Sequence, residues 1–186
     1  MAKKTMEIAR AGASDYTGIL DLQSRCLAGN LTPEERKDGF LSAEFSLVQI
    51  ADMASGLGIV VARDAKRIVG YICASRVESM ARPPILDSML RCLEGAVLHG
   101  KVITKALTFV YGPVCIDREY RGTGLLRLMF SALKRELAGQ FEFGVAFVAA
   151  DNRRSLKAHI DGLGMTQVCL FEHGGNQYHA VAFAAQ

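Results

Sequence analysis

The run LTFVYGPVCIDREYRGTGLLRLMFSALKREL, residues 107–137, constrains the fold more than any other stretch. Its opening is mostly apolar and rich in strand-forming types, so it reads as a β-strand from Leu107 to Ile116. Leu125, Leu126, Met129, Phe130, Leu133 and Leu137 then recur at helical spacing, and Gly139 closes the helix. Between strand and helix stand Gly122 and Gly124. The first amides of a helix have no partner inside it, and the helix dipole puts its positive end there. Strand, two-glycine turn and helix start together mark a place for an anion, most often a phosphate.

Two phosphate signatures fit poorly. A P-loop needs Lys and then Ser or Thr straight after its last glycine, where this chain has Leu125 and Leu126. The dinucleotide pattern G-x-G-x-x-G needs a glycine where Arg127 stands, and a hairpin precedes the turn where βαβ units belong. Glu142 does lie about 20 residues beyond the turn, the separation of a ribose-binding acid, so a nicotinamide oxidoreductase stays open as a third reading.

The flanking elements describe a mixed fold. A short strand near Met6–Arg10 precedes a helix that Ser14 or Asp15 caps, with Tyr16, Ile19, Leu20, Gln23 and Leu27 on one face. Residues 31–56 read as helix, with Thr32 as cap, Pro33 at the first helical position and an interruption at Gly39. Two β-branched runs around Asp64–Arg67 form an antiparallel hairpin, and residues 81–100 an inserted helix or lid. FEFGVAFVAA is a strand buried on both faces, DNRRSLKAHIDGLG a short helix, and the C-terminal run a hairpin around Gly174 and Gly175. Strands dominate the middle and end, with two helices between strands in the second half, an α/β or α+β arrangement.

Half of the 186 residues are hydrophobic and 22% are charged, so residues 1–186 are expected to form one globular domain. The net charge of +3, without long runs of one sign, argues against nucleic acid as a partner. Basic residues gather at two helix starts: Arg118, Arg121 and Arg127, then Arg153 and Arg154. The five cysteines, Cys26, Cys73, Cys92, Cys115 and Cys169, are scattered singly, so neither a disulfide framework nor a metal site is expected, and a reducing cytoplasm fits best. No apolar run approaches bilayer length, so no membrane contact is expected.

Residues 114–126, VCIDREYRGTGLL, resemble the acyl-CoA-binding motif of the GNAT superfamily of N-acetyltransferases, with Arg121, Gly122, Thr123, Gly124, Leu125 and Leu126 in its six places. DNRRSLKAHIDGLGM resembles the family's second motif, with Asn152, His159, Leu163, Gly164 and Met165 in its positions. The element order also matches, so the resemblance spans nearly the whole chain. It implies a mostly antiparallel sheet flanked by helices, with a central strand pair that splays at Val114–Ile116 and Gly144–Ala149. It implies acetyl-CoA as cofactor, transfer of its acetyl or short acyl group to a primary amine in a ternary complex, and binding through Val114, Cys115 and Ile116 of the strand, the six residues of the first motif, Asn152 and Ser155. A homodimer is compatible with it. A weak or inactive acyl-CoA-sensing module is the alternative.

The departures from the pattern carry their own expectations. Leu126 replaces a small residue, which spares the amide but adds bulk. His159 stands where many members have a tyrosine that protonates the departing thiolate; it is a candidate general acid or a packing histidine. No base stands in the usual places, where Val110 and Phe147 are found, which leaves Glu78, Tyr111 and Asp117 as candidates. Cys115 is an acyl acceptor or a buried thiol, with burial favoured. Asn152 and Ser155 either cap their helix or bond the cofactor. Gly112 and Pro113 fit a bulge. The first helices and the insert Arg82–Leu98 are expected to select the amine.

Overall fold

The computed structural model describes residues 6–78 and 83–186. The strands are β1 (Met6–Arg10), β2 (Gly58–Asp64), β3 (Arg67–Arg76), β4 (Val97–Leu98), β5 (Lys101–Val102), β6 (Thr108–Ile116), β7 (Phe143–Ala149), β8 (Thr166–His173) and β9 (Asn176–Ala184). The helices are α1 (Tyr16–Cys26), α2 (Pro33–Arg36), α3 (Leu47–Ser55), α4 (Ile85–Cys92), α5 (Leu125–Glu136) and α6 (Arg153–Lys157). Seven strands form one sheet in the order β1-β2-β3-β6-β7-β9-β8, and β4 and β5 form a separate ribbon. Only β6 and β7 run parallel; the other neighbours in the large sheet are antiparallel. This is the mixed, mostly antiparallel architecture with a splayed central pair that the sequence leads one to expect.

β2 and β3 are buried along most of their length because helices cover both faces of the sheet. On one face, Leu125, Met129, Phe130 and Leu133 of α5 pack on Val60, Ile72, Phe109 and Tyr111. On the other, Ile19, Leu22 and Cys26 of α1 and Ile50 of α3 pack on Ile59, Val61, Tyr71 and Cys115. Further along that face α4 covers β7, β8 and β9 through Leu86, Met89 and Leu90. Close contact is needed at Gly144, where a Cβ would run into the ring of Phe183.

Four local expectations are corrected. The buried face of α1 is Ile19, Leu22, Gln23 and Cys26, with the expected Tyr16, Leu20 and Leu27 packed at its margin, because the sheet lies on that side. Residues 31–56 are not one broken helix: residues 37–46 separate α2 from α3, turning at Gly39 with φ +97° and docking Leu41 on Cys26 through a backbone bond. Residues 81–100 hold a helix only over Ile85–Cys92, followed by the β4–β5 ribbon; residues 79–82, and with them Arg82 of the expected insert, lie outside the described residues. The cysteines are not all single: Cys92 on α4 and Cys169 on β8 form a disulfide, with Cα atoms 6.3 Å apart across a separation of 77 residues. Cys26, Cys73 and Cys115 are free and buried.

Candidate active site

The site begins where the sheet comes apart. β6 and β7 pair only over Thr108–Val110 and Phe143–Val145. Beyond these residues β6 stays with β3 and β7 stays with β9, so a wedge opens between Tyr111–Ile116 and Ala146–Ala149. The expected splay is present but starts later on β7, since Gly144 and Val145 are still paired. Gly112 and Pro113 form the expected bulge: Val114 faces Ile72 and Tyr111 faces Ala74, so two residues of β6 stand opposite Cys73. Gly112, at φ +113°, takes a conformation that suits glycine.

The wedge exposes main-chain amides on one edge. Asp117 N–H bonds Val69 O towards β3, so with the two-residue alternation of a strand Cys115 also turns its amide to β3. Val114 and Ile116 therefore point theirs into the wedge, where Ile116 O accepts a 2.8 Å bond from Arg121 Nε. Of the three strand residues singled out from sequence, the Cys115 amide is spent on the sheet. Its thiol is buried and pushed up in pKa by that burial, which fits the buried-thiol reading.

At the end of the wedge the chain turns into α5. Gly122 and Gly124 sit at φ +77° and +87°, and a Cβ on either would meet open space, so conformation and not crowding calls for glycine. Gly124 is the N-cap of α5 and no side chain caps the helix, which leaves the amides of Leu125, Leu126 and Arg127 facing outward. Thr123 Oγ1 is committed to Tyr120 O at 2.7 Å. Leu125 is buried in the core, while Leu126 packs at its margin and also lines the cavity beside the turn. Arg121 lines the cavity beside the turn with its guanidinium held by carbonyls: besides Ile116 it donates to Asp38 O at 2.6 Å and Gly39 O at 3.2 Å. Arg127 and Arg154 line the same cavity, the first bonded to Gly162 O and the second to Asp38.

Two cavities meet across the wedge. One of about 310 Å³ lies against the glycine turn and α5. One of about 560 Å³ opens on the opposite side, between α3, α4 and β7. Phe40, Leu41, Val114, Ser155 and His159 line both, so they stand at the waist where the two adjoin. Phe40 and Leu41 belong to the 37–46 segment, strapped down by Arg121 and by Asn152 Nδ2, which donates to Phe40 O at 2.8 Å. Sequence reasoning missed this strap because its residues carry no pattern of their own.

Asn152 Oδ1 accepts from Ser155 N, so Asn152 caps α6 and ties the strap at once. After α6 the chain widens into a π-turn over Ala158–Gly162, which carries His159 inward. His159 is 6% exposed and meets the Tyr111 ring edge-on at 5.6 Å. Its Nδ1 lies 2.7 Å from Ser155 O, an atom that can only accept, so Nδ1 carries the proton. Burial holds its pKa below the ordinary value against a smaller opposing effect of that bond. The ring is then neutral near pH 7, with Nε2 bare.

Among the candidate bases, Asp117 is spent elsewhere. Burial works to raise its carboxyl, but the hydrogen bond from Arg25 at 2.6 Å, the Glu119 amide and the charges of Arg25 and Arg67 hold it below the ordinary range. Glu78 and Tyr111 line the larger cavity. The Tyr111 hydroxyl is buried without a hydrogen-bond partner among the described residues, and burial pushes its pKa up, so it remains a phenol. The sequence reading did not single out His173, which lines the same cavity with Nδ1 3.1 Å from Ser88 Oγ. Among the described residues no cluster suited to a metal ion occurs, and no helix is long and apolar enough to cross a membrane.

No family model and no curated protein matches the sequence. Solved structures do match in fold. A GNAT-family acetyltransferase from Streptococcus agalactiae superposes with a TM-score of 0.67 at 15% identity, over 96% of this chain and 95% of its own. An N-acetyltransferase from Staphylococcus aureus gives 0.64 at 13% identity, over 98% and 99%. A putative acetyltransferase from Salmonella typhimurium, solved with its cofactor acetyl-CoA, gives 0.61 at 14% identity, over 98% and 95%. The chain has the GNAT fold along nearly its whole length.

Proposed function

We propose that this protein transfers an acetyl or other short acyl group from acyl-CoA to a primary amine, by direct attack with both substrates bound. The observation that supports this most is the pair of adjoining cavities, one against a glycine turn with open helix amides and a larger one beyond it, with Val114 of the unpaired strand edge and His159 in the walls of both. Acyl-CoA supplies the thioester; everything else falls to the chain. The amides of Gly122 to Leu126 and the α5 dipole receive the pyrophosphate, with Arg127 and Arg154 beside them. The amides of Val114 and Ile116 bond the pantetheine arm and polarise the thioester carbonyl. Asn152 and Ser155 hold the strap and His159 in place.

The amine enters from the larger cavity, where low polarity favours its neutral, nucleophilic form. As its nitrogen bonds the carbonyl carbon and the C–S bond breaks, His159 Nε2 accepts the nitrogen's proton and delivers it to the departing thiolate. His159 thus serves as the acid only after it has been charged.

The test is a thermal-shift series followed by a thiol-release assay. Acetyl-CoA is expected to raise the melting temperature well beyond NAD or ATP, and thiol is expected to appear when an amine is added. Absence of any shift at concentrations well above micromolar sinks the reading. A shift without thiol release from any amine identifies a binding module instead.

A further inference from the structure

We propose that the acceptor is a primary amine carried on an aromatic or similarly bulky apolar body, lacking both a carboxylate and a second cationic group. This rests on the acyl-transfer reading above and names the acceptor class for the same site.

The larger cavity has the walls for such a body. On one side Phe147 and Tyr178 meet edge-on at 5.7 Å, and Tyr178 is stacked on Phe171 at 5.4 Å, which fixes the aromatic wall. Phe147 and Tyr178 are both half-buried, so part of each ring is free to be covered. Phe45 and Met53 face in from the α3 side, and Ile85 and Leu86 from α4. These surfaces come from three separate parts of the chain, and together they enclose about 560 Å³, the size of a small-molecule site.

Among the described residues, the carboxylates and the guanidinium of the lining are all exposed. Asp52 and Glu78 line the cavity and are exposed, so they sit at its rim and attract a cation from solution without following it inside. Arg76 is the cavity's one lining guanidinium among the described residues; it is exposed and lies over the Phe141 ring at 5.5 Å. Among the described residues, an acceptor carboxylate held below that rim would therefore meet no guanidinium, and the extra ammonium groups of a polyamine or aminoglycoside held there no carboxylate. Burying either charge unpaired is unfavourable. A single amine at the waist avoids both, since it reacts in its neutral form.

The experiment uses the full-length protein with acetyl-CoA and four acceptors: 2-phenylethylamine, phenylalanine, spermidine and kanamycin. Thiol release is expected to give 2-phenylethylamine a kcat/KM at least about 100-fold above each of the others. Met53→Lys is expected to lower that value about tenfold or more while leaving the thermal shift with acetyl-CoA unchanged. Faster release with phenylalanine, spermidine or kanamycin overturns the acceptor class and leaves acyl transfer standing. No shift with acetyl-CoA instead removes the acyl-transfer reading. If acetyl-CoA binds but no amine releases thiol, the CoA-bound protein is titrated with 2-phenylethylamine: a further rise in melting temperature supports the apolar-amine pocket, and its absence overturns it.

Discussion

Gly124→Ala separates the two jobs of the glycine turn. At φ +87° an alanine pays for a left-handed backbone, about 1–2 kcal/mol, although its Cβ meets no protein atom. In a chain of this length about 1 kcal/mol moves the melting temperature by about 2–4 °C, so the unliganded variant should melt about 2–8 °C below the parent. Acetyl-CoA at about 100 times its dissociation constant stabilises the parent by about 2.7 kcal/mol, or about 5–11 °C. If the new methyl stands where the pyrophosphate must approach and weakens binding about 100-fold, the same concentration returns only about 0.4 kcal/mol, or about 1–2 °C. Gly139→Ala is the control: Gly139 has φ +76°, no atoms near its Cβ, and a position past the far end of α5. It should show the strain without the loss of ligand response. Differential scanning fluorimetry with and without acetyl-CoA reads both. A Gly124→Ala protein with the parent's full ligand shift would refute the assignment of this turn to the pyrophosphate.

Arg121→Met removes the bonds to Ile116, Asp38 and Gly39 carbonyls and should cost about 2–4 kcal/mol in a urea titration; a loss under 1 kcal/mol would show that the strap is not held by this residue. His159→Phe should lower turnover about tenfold with the acyl-CoA dissociation constant unchanged, and His159→Tyr should recover part of the rate; equal rates in all three would assign His159 to packing. The same position governs a pH effect. The folded pKa of His159 lies below the ordinary 6.5, so its contribution is whole above about pH 6.5 and is lost as pH falls below it, at up to about 1.4 kcal/mol per unit. His159→Phe should flatten that slope, while the depressed Asp15 and Asp117 act only in more acid solution, below their ordinary value near 3.8. Tyr111→Phe deletes a buried hydroxyl without a partner, so it should melt no lower than the parent; a drop of several degrees would reveal a hidden hydrogen bond. Cys92→Ser should cost about 2–4 kcal/mol by releasing a loop of 77 residues, and thiol titration of the unreduced, unfolded parent should count the free Cys26, Cys73 and Cys115 alone.

What the amino-acid order settles by itself is whatever depends on near neighbours. The strand at 108–116, the left-handed glycines at 122 and 124 and the stripe of α5 follow from local sterics and a helical period, so they are legible in one line of sequence. The Asn152 cap and the inward side of His159 follow from the same short-range geometry. Partners distant in the chain were decided by the tertiary structure alone. Arg121 has the look of an anion ligand, yet it is spent on carbonyls more than 80 residues away because folding lays Asp38 and Gly39 across β6. Cys92 and Cys169 become a pair only when α4 docks on β8, and Asp117 gains its Arg25 partner only when α1 packs on the sheet. The protonation of His159 depends on how much water the strap and the sheet remove from it, and the large cavity exists because α1 with α3 and α4 cover one face of the sheet without meeting. Hydrogen bonds between remote segments, and the dielectric around a buried ring, are properties of the packed chain, and no spacing of residues along it encodes them directly.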